Sequence, residues 1–176
     1  MSFLSYLLGG KNSAGWDLVD EYRNLMLQKE SNDIPKTDRK GNKISNIARF
    51  NISGTTHSHL NSNPKKEIAR LSPGDLLVLA PQPENEHDHE AVRVLTYSGK
   101  QIGWIPKAYE EKSLIFRRLM EQYEIFCCVY DRGVSRGGFP WCEITVVTYG
   151  TPFDPSVDIK FPNSYLTSLL AMQGRL

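Results

Sequence analysis

The sequence predicts a mainly β chain with helices, folded as a small OB-like barrel behind an N-terminal amphipathic helix. Three observations predict it. Short apolar runs of strand length recur roughly every 8–12 residues, each bounded by Gly, Pro or Asn. Only two segments among those runs have helical spacing. The long helices that would have to alternate with strands in a parallel sheet are missing, which favours a barrel. Strict polar–apolar alternation is weak, so the strand order does not follow from the pattern.

The opening Met1 to Leu8 is apolar, but it lacks a basic leading region and is short for an export signal. It reads as a short docking helix of a cytoplasmic protein. Trp16, Val19, Tyr22, Leu25 and Met26 fall at helical spacing over about 15–29, with Asp17, Asp20 and Glu21 early and Lys29 late. That charge order suits a helix dipole. Residues 1–30 therefore form an amphipathic segment, which packs on the barrel or else docks a protein partner. Residues 31–46 carry Lys36, Arg39, Lys40 and Lys43 with Pro35 and Gly41, and read as a polar basic linker.

The barrel domain is expected over 47–150. Its first strand runs from Ile47 to Ser53 and stops at Gly54. Asn63 followed by Pro64 is a helix cap with a first-turn proline, so a short helix should reach Leu71. Pro73-Gly74 turns into a buried strand, Asp75 to Ala80, and a loop follows through Pro81, Pro83 and Asn85. Ala91 to Tyr97 is the next strand, and Ser98-Gly99 turns it into Gln101 to Ile105. Pro106 should open a second helix whose inward face combines Ile115, Leu119 and Tyr123 with Phe116 and Met120. Strands at about 124–130 and 141–149 flank a loop with Gly133, Gly137 and Gly138. Residues 151–176 form a tail broken by Pro152, Pro155 and Pro162, with a short helix at about 164–172.

Composition narrows the function. Hydrophobic residues make up 40% and charged residues 23% of 176, which is ordinary for a globular protein. No apolar run has the length of a membrane span. Net charge is +1, so the chain is no histone-like cation. Its charge is nonetheless uneven: Glu84, Glu86, Asp88 and Glu90 cluster between two basic stretches at 36–49 and 100–118. Cys127, Cys128 and Cys142 lack metal-ligand spacing and read as buried thiols.

The clearest signature is Asn85-Glu86-His87-Asp88-His89-Glu90-Ala91-Val92-Arg93-Val94. It resembles the HIRAN family pattern of Asn, two variable residues, Asp, two more, then Ala and an aliphatic strand. Gly54-Thr55, Pro73-Gly74-Asp75 and Gly103-Trp104-Ile105-Pro106-Lys107 fall in the same family order. The resemblance, to a stand-alone member, covers about 100 residues. It implies a modified OB-like barrel that holds the 3′-hydroxyl end of single-stranded DNA in repair, replication or mobile-element biology, with no cofactor and no catalysis. Residue by residue, it implies that Asp88 accepts the terminal hydroxyl and that Asn85 shapes the loop. His87 stands where helicase-linked members have an aromatic ring, Lys107 matches a phosphate-contacting lysine, and Phe139 and His57 are stacking positions. Thr56 replaces an arginine of those members, and Trp104 replaces a histidine.

The chemistry agrees with this assignment. A carboxylate repels a phosphate but accepts a hydrogen bond from a hydroxyl, so Asp88 would select a free end. Asn85 and Asp88 also suit an Asx-type turn before a strand, and the two roles are compatible. A different reading joins His57, His59, His87 and His89 in a metal site for nucleic-acid hydrolysis, although their spacing matches no known ligand motif.

Overall fold

Among the described residues, six strands and two helices follow one another: β1 (Ile44–Asn51), α1 (Pro64–Arg70), β2 (Leu76–Gln82), β3 (Ala91–Thr96), β4 (Gln101–Trp104), α2 (Lys112–Met120), β5 (Tyr123–Val134) and β6 (Pro140–Pro152). The computed structural model describes residues 43–59, 62–121 and 123–152. The helices expected at 15–29 and 164–172, the opening apolar segment and the linker up to residue 42 lie outside the described residues. No described helix is long and apolar enough to cross a membrane.

The strands form one antiparallel sheet in the order β1-β6-β5-β2-β3-β4, the mainly β barrel-like fold expected from the sequence. Its two edges meet. Just past β1, the Ser53 amide donates to the Trp104 carbonyl at 2.9 Å, and the Trp104 amide returns a bond of 3.0 Å. Gly103 permits this approach, because a Cβ there would run into the Ser53 carbonyl oxygen.

Inside the curl, Ala48, Phe50, Leu77, Leu79, Val92, Val94, Ile102, Ile125, Cys127, Ile144 and Val146 form the core. Both helices contribute to it. Ile68 comes from α1, which is capped by the Asn63 side chain as the sequence predicts, and Ile115 comes from α2. The opposite face of the same strands is also apolar and buried, with Val78, Ala80 and Leu95 clustered there beside Tyr97.

Several boundaries depart from expectation. β1 starts at Ile44, so residues 44–46 of the expected linker belong to the sheet. β2 continues through Pro81, which faces Val92 in register. The β5–β6 hairpin is longer than expected at both ends. Pro106 does not open α2. Turns closed by Tyr109 on Pro106 and by Lys112 on Tyr109 occupy residues 106–111, and the Tyr109 ring packs on Phe50 at 4.2 Å. The helix begins only at Lys112, and Met120 is half exposed rather than inward.

Candidate nucleic-acid interface

The acidic loop between β2 and β3 is organised by two of its own side chains. Asn85 Oδ1 accepts from the backbone amides of His87 at 3.0 Å and Asp88 at 3.1 Å. Asp88 Oδ1 accepts from the Glu90 amide at 3.1 Å, and the Asp88 carbonyl accepts from Ala91 where β3 begins. These are the Asx-type turns that the sequence allowed.

Sequence reading missed the residue that fixes the loop. Lys112, the first residue of α2, sends its ammonium to both carboxylate oxygens of Asp88, at 2.8 and 2.7 Å. The Lys112 side chain is 6% exposed and that of Asp88 is 20% exposed. Ser113 binds Glu90 beside them, giving α2 a second tie to the loop. A lysine at a helix start looks like any surface lysine, and nothing in the sequence pairs it with an acid 24 positions earlier.

The electrostatics follow from this packing. Burial alone would raise the Asp88 pKa. Hydrogen bonds from Lys112 and the Glu90 amide, with the charges of Lys112 and Lys107, outweigh it and hold the carboxyl below its ordinary range. Lys107 is exposed, and its Nζ donates to the His87 carbonyl at 3.3 Å. Burial lowers the pKa of the half-buried Arg93, and the nearby Glu84 only partly offsets this. Asp88 is thus a fixed acceptor between two lysines, in a loop whose other acids are partly offset.

At the tip of the β5–β6 hairpin, the Gly138 amide donates to the Ser135 carbonyl and the Phe139 amide to Ser135 Oγ. Gly138 sits at φ +79°, a left-handed conformation that side chains disfavour. The Phe139 ring lies against Gly137 and is 60% exposed, so it is not packed in the core. Thr55 Oγ1 donates to the Pro140 carbonyl at 2.7 Å, which ties the turn carrying Thr56 and His57 to this hairpin. Thr56 and His57 are exposed.

Trp104 is half-buried. Its indole lies so close to Gly54 that a Cβ there would sit 2.9 Å from Cδ1, and it meets the His59 ring edge-on at 6.2 Å. His59 is packed into this corner. Burial lowers its pKa, a bond to the Gly54 backbone raises it, and His57 lowers it again. His89 Nδ1 lies 3.3 Å from the Pro83 carbonyl. No three His, Cys, Asp or Glu side chains among the described residues come together to hold a metal ion.

The expected site residues thus lie along one connected run. It leads from Phe139 through Pro140 and Thr55 to the turn bearing Thr56 and His57, then by Gly54 to Trp104. From there the chain continues to Lys107, which reaches His87 and the Asp88 loop.

The sequence model of one family, described as the HIRAN domain, matches residues 47–138. Among solved structures, the crystal structure of the HIRAN domain of human HLTF is similar, with a TM-score of 0.41 and 15% sequence identity. The match covers 77% of this chain and 92% of that one. No curated protein matches the chain.

Proposed function

The chain belongs to the HIRAN domain family, and from that premise we propose that it grips the free 3′-hydroxyl end of single-stranded DNA. A HIRAN domain is a binding domain and not itself catalytic, and membership supports DNA binding in general terms. Recognition of an end is the finer reading.

One observation carries it. The Asp88 carboxylate is clamped on both oxygens by Lys112, lies near the charge of Lys107, and still keeps a fifth of its side chain exposed. Oδ1 already receives two donors, whereas Oδ2 receives Lys112 and has acceptor capacity left for a hydroxyl. A terminal nucleotide presents a hydroxyl together with a nearby phosphate, and a carboxylate beside an exposed lysine suits that pair. Net repulsion of the polyanion is avoided because the acid is already neutralised. Asn85 holds the loop, and His87 presents its carbonyl to Lys107. Phe139 and His57 offer rings for the preceding bases, worth about 1–3 kcal/mol per stacked base without sequence preference. Thr56 is exposed next to His57 on the turn, and the Trp104 indole packs against Gly54 at its start.

The test is binding to matched oligonucleotides ending in 3′-hydroxyl or 3′-phosphate. A hydrogen bond to a charged acceptor contributes about 1.5–3 kcal/mol, so the wild type should prefer the hydroxyl end by roughly tenfold to a hundredfold. Asp88→Asn keeps the shape of the side chain and should remove most of that preference. Equal affinity of the wild type for both ends would overturn the proposal.

A further inference from the structure

The sheet has a second buried face that no described element covers. Strand register places Val147 of β6, Phe126 and Cys128 of β5, Val78 and Ala80 of β2, and Leu95 of β3 on one side. All are between 0 and 2% exposed. Side chains on this side point away from the inner core, because neighbours along a strand alternate between faces. The buried apolar residues of α1 and α2, Ile68 and Ile115, belong to the inner core, so neither helix supplies the cover.

We propose that this face is the docking surface for the chain's own residues 15–29, laid across the strands as an amphipathic helix. The stripe of Trp16, Val19, Tyr22, Leu25 and Met26 is the apolar complement the face requires. Length favours this segment. From the half-buried Ile47 on β1 to Leu95 on β3 there are four strand spacings, about 19 Å. A helix over 15–29 is about 22 Å long and reaches across, whereas one over 164–172 is about 13 Å long. The 13 residues from 30 to 42 can span up to about 40 Å before entering at Lys43, so the return path is easily closed. This inference does not depend on recognition of DNA ends.

The full-length chain carries its own reporter, since Cys128 lies on the second face while Cys127 and Cys142 lie in the inner core. Thiol labelling followed by peptide mapping should find all three protected in the wild type. The double variant Val19→Asp/Leu25→Asp should speed labelling of Cys128 by about tenfold or more while Cys127 and Cys142 stay protected, as expected for local rather than global opening. Unchanged protection of Cys128 in that variant overturns the proposal. So does selective exposure of Cys128 by Leu169→Asp/Leu170→Asp, which would assign the cover to the C-terminal segment. If the N-terminal variant exposes all three cysteines, a benzophenone side chain at Tyr22 of the otherwise wild-type chain decides. Links within one chain to 76–80, 91–97 or 126–128 support the proposal. Links confined to other peptides, or formed only between isotopically distinct chains, overturn it.

Discussion

The two loops that bracket the candidate interface are built on opposite principles. In the acidic loop 83–90, the Asn85 and Asp88 side chains are spent on backbone amides, and α2 pins the loop through Lys112 and Ser113. The hairpin tip 135–139 is closed by its own serine and glycines and leaves a phenylalanine in water. A side chain that must select among chemical groups has to be held still, because the angle of one hydrogen bond decides the outcome. A ring that stacks on any base needs area, and tolerates movement. The pinned loop is suited to discrimination and the bare tip to affinity.

The largest expected effect separates the loops by stability. Asp88→Ala leaves the buried Lys112 ammonium without its partner and should destabilise the fold by about 3 kcal/mol, the low end for a broken buried pair because Asp88 is partly exposed. Phe139→Ala should stay within about 0.5 kcal/mol of the wild type in the same urea unfolding measurement. A thermally neutral Asp88→Ala would mean that the loop is not pinned as described.

The next effect reverses the order. In titrations with single-stranded oligonucleotides, Phe139→Ala should lose about 1–3 kcal/mol of affinity, equally for hydroxyl and phosphate ends. A change in end preference in that variant would show that the tip takes part in discrimination, and the division of labour would fall.

The smallest effect is a dependence on pH. The folded pKa of Asp88 lies below its ordinary value, so its stabilising contribution is complete above the unfolded pKa. It is lost as pH falls below about 4 and through the folded pKa. Melting temperatures measured from pH 6 down to pH 3 should therefore converge for the wild type and Asp88→Asn. Phe139→Ala should run parallel to the wild type throughout. Curves for Asp88→Asn that stay parallel to the wild type would remove the carboxylate from the account of acid stability.

Much of the fold was legible because local chemistry decided it. Asn63 before Pro64 fixed where α1 starts, and Pro73-Gly74 and Ser98-Gly99 located their turns. Pro106 misled because a proline that can begin a helix can equally begin a turn, and packing of Tyr109 on Phe50 chose the turn. Pro81 looked like a loop residue although it is paired within β2, where tertiary contacts outweigh its weak strand preference. At the site, the Asn85–Asp88 spacing was readable because each side chain bonds to backbone within three positions. Lys112 was not, since its partner is remote in sequence and its burial depends on how α2 docks. The second apolar face went unread for a related reason. A strand buried on both sides loses the alternation that would reveal its orientation.

The joint between Ser53 and Trp104 gives the sheet the character of a hoop held by a clasp. Two backbone hydrogen bonds fasten it, each with a net value of about 1 kcal/mol, whereas the β5–β6 hairpin is zipped along ten register pairs. Parting the clasp is therefore far cheaper than separating β5 from β6. It lies between the turn bearing His57 and the stretch leading to Lys107. Opening it would free the turn bearing His57 from the stretch leading to Lys107 while the β5–β6 hairpin stayed paired.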